Sequence, residues 1–173
     1  MAIFKLIENT NPILAIPISG CSEDMDRQEM KDNLIETMEH YNGIGLSANQ
    51  CGIMERVFVM YSDVKKKEII ACFNPKIITE SDEQIFMDEG CLTYPGLWLK
   101  VKRPDGIEVT YEDENGEKQE QAMFGLECRV FQHEYDHMEG IDFQSLAGRL
   151  SLDIAKRKLK RAQRKMKKMQ ENQ

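Results

Sequence analysis

Two histidines spaced four residues apart, His133 and His137, are the side chains best suited to chemistry in this sequence. Side chains at i and i+4 lie one above the other on one face of an α-helix, so both imidazoles can reach a single divalent metal ion. Glu134 directly follows the first histidine, where its carboxylate can take a proton from water at that ion. The spacing therefore predicts a metal site with a general base beside it.

The residues before the motif indicate that these histidines are buried. Leu126, Val130 and Phe131 recur at helical spacing, which predicts an amphipathic helix that directs the histidines into a core. An exposed acidic turn with two solvated histidines is the simpler alternative. It is weakened because the chain has only three histidines and two of them belong to this motif.

A metal ion held by two histidines requires a third protein ligand, and the sequence after the motif offers few. The position six residues past the second histidine, where some metalloproteases have a third histidine, is Phe143. The one glutamate well past the motif is Glu171. Asp142 and Asp153 remain candidates but fit neither spacing, so we expect the ligand upstream.

Cysteine is the upstream candidate, because a thiolate is a good ligand for zinc and iron. The five cysteines form an odd set without a CxxC pair, which favours free thiols in a reducing compartment and a cytoplasmic protein. Cys91 differs from the others in its surroundings: Gly90 permits close backbone approach, and Pro95-Gly96 marks a turn. A small buried residue beside a turn would explain the same segment.

Hydrophobic periodicity predicts the elements that must position these residues. We expect a short strand over residues 1–7, a helix from Ser22 to about Tyr41, and a loop of small residues over 43–52. Asn115-Gly116 indicates a hairpin between two strands. The predicted strands cover residues 56–61, 69–73, 76–79, 97–103, 107–111 and 119–123.

The composition changes at the C-terminal end. Residues 149–173 contain ten Lys or Arg and two Asp or Glu, a net charge of +8; because the whole chain carries −7, the first 148 residues carry −15. We therefore expect a catalytic domain over residues 1–148 and a basic helical extension of the same domain over 149–173. Clustered Lys and Arg neutralise phosphates, so this helix either contacts RNA or is a partly frayed, solvated helix. No apolar run is long enough to cross a membrane, and we expect a monomer without membrane association.

Three ordered motifs make the chain resemble the peptide deformylase family. The family motifs are GxGLAAxQ, EGCLS and HExDH; the chain has GIGLSANQ at 43–50, EGCLT at 89–93 and HEYDH at 133–137. The resemblance extends from about residue 11 to about residue 143. Ser47 and Thr93 replace the usual alanine and serine; both are small, and neither is at a ligand position.

The resemblance implies an α+β fold in which antiparallel or mixed sheets wrap around a central helix bearing the HExxH motif, with a long N-terminal helix and a C-terminal helix. It also implies metal-dependent removal of the formyl group from the N-terminal formyl-methionine of nascent polypeptides, with release of formate. Cys91, His133 and His137 would hold one divalent metal ion. That ion would be Fe(II) in vivo, with Zn(II), Ni(II) or Co(II) as alternatives in the purified protein.

The resemblance also implies roles for the residues around the metal. Glu134 would move the proton, while the Gln50 side chain and the Leu92 backbone N–H would stabilise the oxyanion. The resemblance further implies that the basic C-terminal helix contacts ribosomal RNA. Independently of the resemblance, we expect Arg103 to pair with Glu89 and to support the Cys91 segment. The implied substrate-binding residues are Ile44, Gly45, Glu89, Gly90 and Val130.

Three other interpretations compete with this one. A zinc peptidase of the HExxH type shares the helix but lacks a downstream ligand at the usual spacing; cleavage of unformylated peptides by a Cys91→Ser variant would favour it. A non-enzymatic RNA-binding module would depend on the basic tail alone. A structural metal site would need a fourth protein ligand, and no residue of good spacing is evident.

Overall fold

The structure is a computed structural model that describes residues 2–171. Three single-turn 3-10 helices, Pro12–Ala15, Ala48–Cys51 and Phe143–Leu146, accompany the longer elements. Those elements are α1 (Arg27–His40), β1 (Gly45–Ser47), β2 (Val57–Asp63), β3 (Glu68–Glu80), β4 (Gln84–Cys91), β5 (Tyr94–Pro104), β6 (Gly106–Glu112), β7 (Lys118–Phe124), α2 (Gly125–Met138) and α3 (Arg149–Glu171).

The strands form two antiparallel sheets, one of five strands in the order β1-β2-β3-β6-β7 and one of the two strands β4 and β5. Successive side chains of a strand point to opposite faces, and β2 follows this rule. Val57 and Val59 pack with Leu34 of α1, whereas Phe58 packs with Phe131 of α2. The larger sheet therefore lies between α1 and α2. The α+β class with antiparallel sheets agrees with the prediction.

A third apolar cluster joins the β4–β5 hairpin to the end of the chain. Leu152, Ala155 and Leu159 of α3 are partly buried against it. The predicted basic helical extension corresponds to α3, and residues 172–173 of that prediction lie outside the described residues. Among the residues described, no helix combines the length and apolar character that crossing a membrane requires. The buried members of the cluster are Cys91, Leu97, Leu99, Val101 and Phe143.

The strand predicted over residues 1–7 is wrong, since residues 2–7 form no strand; Met1 lies outside the described residues. The backbone N–H of Ala2 donates to Asn33 Oδ1 at 2.7 Å, and the N–H of Phe4 donates to Thr37 Oγ1 at 2.9 Å. The segment thus runs along α1 and is bonded by helix side chains in place of a neighbouring strand.

The predicted start of the first helix is also wrong. Asp26 is the N-cap, and its side chain accepts a hydrogen bond from the Glu29 N–H at 2.9 Å. Ser22, which was expected to start the helix, donates its hydroxyl to Glu55 at 2.5 Å and lies in a loop. A tertiary contact therefore uses the polar side chain that would otherwise have capped the helix.

Two predicted segments differ in extent. The strands predicted over 69–73 and 76–79 form one strand, β3. The strand continues through a bulge, in which Asn74 adopts φ 50° and the pairing register with β6 shifts between Phe73 and Lys76. A bulge of this kind accommodates Pro75 without ending the strand. The loop expected over 43–52 contains β1 and a 3-10 turn. No strand bounds were predicted from the sequence for the segment that forms β4.

Candidate active site

Cys91, His133 and His137 converge at one point in the structure. Their ligand atoms all lie within 4.8 Å of one another, and Cys91 Sγ lies 3.4 Å from His137 Nε2. All three side chains are buried. A tetrahedral ion with a sulfur bond of ~2.3 Å and a nitrogen bond of ~2.0–2.1 Å would hold the two atoms about 3.5 Å apart. The donor set therefore fits a single metal ion.

Two elements bring these ligands together. α2 presents His133 and His137 on one face, with their ring centroids 5.2 Å apart. β4 ends at Cys91, and its pairing register with β5 shifts between Gly90 and Cys91. Such an irregularity bends a strand and redirects its side chains. The bend places the thiol of Cys91 against the histidine face of α2.

Glu89 fixes the ring of His133 on the side away from the thiol. Its Oε2 lies 3.0 Å from His133 Nδ1, which leaves Nε2 available to a metal ion. Arg103 donates to both carboxylate oxygens, at 2.7 and 3.0 Å, and Arg129 donates to Oε1 at 2.9 Å. Arg103 also donates to Asp136 at 2.6 Å. The Glu89 carboxylate is thus held by His133, Arg103 and Arg129. The predicted pair of Arg103 and Glu89 is confirmed.

These charges shift the protonation of the site. Burial raises the pKa of Glu89, but hydrogen bonds from His133 and two arginines outweigh burial and lower the pKa to about 2. Burial lowers the pKa of His133, but hydrogen bonds to Cys91 and Glu89 and the charge of Glu134 raise it to about 10. Burial and the positive charge of His133 hold the pKa of His137 well below its ordinary value. The negative groups that favour a proton on His133 would equally favour a divalent cation.

Glu134 lies buried beside β1. Ser47 Oγ donates to Glu134 Oε2 at 2.5 Å and lies 3.3 Å from the Glu134 main-chain oxygen. A Cβ added to Gly45 would lie only 2.5 Å from Glu134 Oε1, so no larger side chain fits there without displacing the carboxylate. Burial raises the pKa of Glu134, and the charge of His133 and the Ser47 hydrogen bond offset this effect only in part.

The side chain of Gln50 is held at both ends. Its Oε1 accepts a hydrogen bond from the Ser47 N–H at 3.0 Å. Its Nε2 donates to Thr93 Oγ1 at 2.9 Å and to Cys91 Sγ at 3.4 Å. A side-chain amide has two N–H groups, and both are engaged in these contacts. Gln50 is therefore fixed directly beside the thiol of Cys91.

A cleft of about 900 Å³ opens onto these residues. His137 is buried and is not part of its lining. Ten residues singled out from the sequence line the cleft together: Ile44, Gly45, Gln50, Glu89, Gly90, Cys91, Leu92, Val130, His133 and Glu134.

Several contributors to the site were missed or misjudged from the sequence. Arg129 precedes His133 by one helical turn and so shares its face of α2, but no pattern in the sequence pairs it with Glu89 of β4, to which it donates. The sequence identifies Ser47 only as a small departure from the family motif, whereas in the structure its hydroxyl contacts Glu134. Leu126 was expected in the core, but it is 47% exposed and lines the cleft. The segment 5–10 also lines the cleft.

The fold and the site together define a class of protein. A sulfur and two nitrogen donors around one point can hold one metal ion, and a buried carboxylate adjacent to them lines an open cleft. A closed structural site would have no such access for a substrate. The arrangement is that of a metal-dependent hydrolase.

Comparisons with known proteins agree with this class. A family model described as polypeptide deformylase matches residues 3–151. A peptide deformylase of Thermotoga neapolitana is 39% identical over 134 residues, covering 76% of this chain and 79% of that protein. One from Rhizobium meliloti is 34% identical over 169 residues, covering 94% and 95%.

Solved structures give the same result. A crystal structure of a peptide deformylase from Legionella pneumophila has a TM-score of 0.84 and 31% identity, covering 95% of this chain and 98% of that one. A peptide deformylase from Synechococcus elongatus, solved in complex with actinonin, has a TM-score of 0.83 and 33% identity, covering 90% and 86%. The chain belongs to the peptide deformylase family, and it is a deformylase enzyme.

Proposed function

We propose that this protein hydrolyses the formyl amide at the N-terminal formyl-methionine of nascent polypeptides and releases formate. The observation that carries the proposal is the convergence of Cys91, His133 and His137 beside the buried carboxylate of Glu134, at the wall of an open cleft. This geometry supports the proposal of a metal site and a proton carrier next to the space for a substrate.

Cys91, His133 and His137 would hold the metal ion. When bound, such an ion would supply a water of lowered pKa, toward ~7, and would polarise the formyl carbonyl. A thiolate is a soft ligand, which suits Fe(II) as well as Zn(II). We propose Fe(II) as the ion used in vivo and Zn(II), Ni(II) or Co(II) as ions that the purified protein can carry.

Glu134 is proposed to carry the proton. It accepts a proton from the attacking water and passes it to the leaving amine, so that the products are formate and a free N-terminal methionine. Burial raises the pKa of its carboxyl, which brings that pKa closer to the operating pH and suits a group that both accepts and donates.

The oxyanion would be stabilised by the Leu92 backbone N–H and the Gln50 side chain. The two N–H groups of Gln50 Nε2 already point to Thr93 and Cys91, and therefore one of them must turn to the substrate oxygen. Side-chain amides in this role contribute about 2.7–4 kcal/mol in other hydrolases.

The peptide is proposed to bind in extended form between two backbone segments. One is Ile44-Gly45, and the other is Glu89-Gly90 in β4. In the described part of the chain β4 pairs only with β5, so its second edge can accept a peptide strand. Because the Glu89 carboxylate is occupied by arginines, that residue can serve the substrate through its backbone alone. Val130 would form part of an apolar pocket for methionine.

The architecture and the setting of the enzyme complete the proposal. We place α2 as the central helix of the fold, with residues 1–148 as the catalytic domain and 149–173 as its basic helical extension. The lysines and arginines of α3 would contact ribosomal RNA, because clustered basic side chains neutralise phosphates. We expect a monomer in the cytoplasm, and the free state of all five cysteines is consistent with a reducing compartment.

The test is anaerobic formate release from formyl-Met-Ala-type peptides, with metal content measured on the same samples. Wild type should release formate, Glu134→Ala should retain metal without activity, and Cys91→Ser should lose both. Glu127→Gln removes a carboxylate from the same helix away from the ligands and should behave as wild type. Equal activity in all four proteins, or cleavage of unformylated peptides, would refute the proposal.

A further inference from the structure

Strand β1 contacts the proposed proton carrier through two of its three residues. Alternate positions of a strand share a face, so the backbone of Gly45 and the side chain of Ser47 both face Glu134. The Leu46 side chain points into the core between the sheet and α1. Gly45 lies against Oε1 and Ser47 holds Oε2. The two carboxylate oxygens therefore have different surroundings.

Ser47 is fully buried, and its hydroxyl is committed to Glu134. Among the described residues, it is the one hydrogen-bond donor to the Glu134 carboxylate. The Ser47 N–H separately holds the Gln50 amide oxygen. Ser47 thus bonds both side chains that are proposed to act on the substrate: its backbone N–H holds Gln50, and its hydroxyl holds Glu134.

We propose that Ser47 is a positioning residue for the deformylation reaction: its hydroxyl fixes Glu134 through Oε2 and leaves Oε1 as the oxygen that exchanges the proton. This inference rests on the proposed function of Glu134. Alanine, the usual residue at this place in the family motif, has no hydroxyl, so the contact distinguishes this chain from relatives with alanine here.

Ser47→Ala isolates the hydroxyl, because alanine keeps the backbone N–H that holds Gln50. We expect kcat for formate release to fall about tenfold, the low end of what a hydrogen bond to a charged group contributes, while KM changes less than twofold. Metal content should stay at the wild-type level. Ser47→Thr, which restores a hydroxyl, should recover kcat to within about threefold of wild type. Ser62→Ala removes a hydroxyl from β2, where it donates to the Glu68 carbonyl, and should leave kcat unchanged.

A second measurement does not depend on activity. Thermal unfolding midpoints of wild type, Ser47→Ala, Glu134→Ala and the double variant form a cycle, and we expect the two single shifts not to add because they remove the same contact. Additive shifts, or an unchanged kcat in Ser47→Ala, would overturn the inference. A wild-type protein without formate release would instead overturn the proposed function, and the cycle would still report on the Ser47–Glu134 contact.

Discussion

Replacement of Gly45 by alanine is expected to displace Glu134, the proposed proton carrier, without contacting a proposed metal ligand. The added Cβ would lie 2.5 Å from Glu134 Oε1 and 2.9 Å from two further atoms of that side chain. Ser47 holds the carboxylate from the other oxygen, and therefore Glu134 cannot move away freely. The clash must be relieved by a shift of Glu134, of β1 or of both.

The expected magnitude follows from these distances. Ordinary van der Waals contact begins near 3.4 Å, so the carboxylate has to retreat by roughly 0.9 Å. A misplacement of about 1 Å at a reacting group can cost ~10²-fold in rate. Overpacking of a core by one methyl group costs about 1–3 kcal/mol of stability. We therefore expect kcat to fall ~10²-fold in a folded but less stable protein that still binds metal.

The assay is steady-state formate release, with metal content and unfolding midpoint determined on the same preparation. Gly20→Ala is the matched control, because its added Cβ would meet only Asn74 Oδ1 at an ordinary 3.6 Å. A Gly45→Ala enzyme with full metal content and kcat within about threefold of wild type would refute the reasoning. An increase in KM alone would show that Gly45 acts on the substrate and not through Glu134.

Two further predictions concern the support of the site and the C-terminal helix. Glu89→Gln leaves the buried guanidinium groups of Arg103 and Arg129 without their carboxylate, which should lower the free energy of unfolding by about 3–5 kcal/mol in chemical denaturation. Asp88→Asn, at the exposed neighbouring position, is the control and should have no effect. Equal stability of the two variants would contradict the prediction. Truncation after Gly148 removes α3 and its apolar contacts with the β4–β5 hairpin, so the unfolding midpoint should decrease. Formate release from short peptides should persist, whereas co-sedimentation with ribosomes should be lost. Co-sedimentation equal to that of the full chain would exclude α3 as the ribosome contact.

Features that depend on local periodicity could be predicted from the sequence. The helix that carries His133 and His137 was predicted because four-residue spacing places both rings on one face, whatever the helix packs against. The hairpin at Asn115-Gly116 was predicted for a similar reason: Gly116 has φ +79°, a backbone conformation that glycine adopts readily. Cys91 differed from the other cysteines in its neighbours, Gly90 and Pro95-Gly96, and the family resemblance then implied it as the third ligand.

Features that depend on contacts between distant segments were decided by the tertiary structure. Ser47 and Glu134 are 87 positions apart, and no pattern in either segment shows that their side chains touch. The segment 2–7 has the composition of a strand, but side chains of α1 bond its backbone and leave it outside the sheets. Propensity and periodicity act over a few residues, whereas these outcomes are set by which buried polar groups find partners after the elements pack.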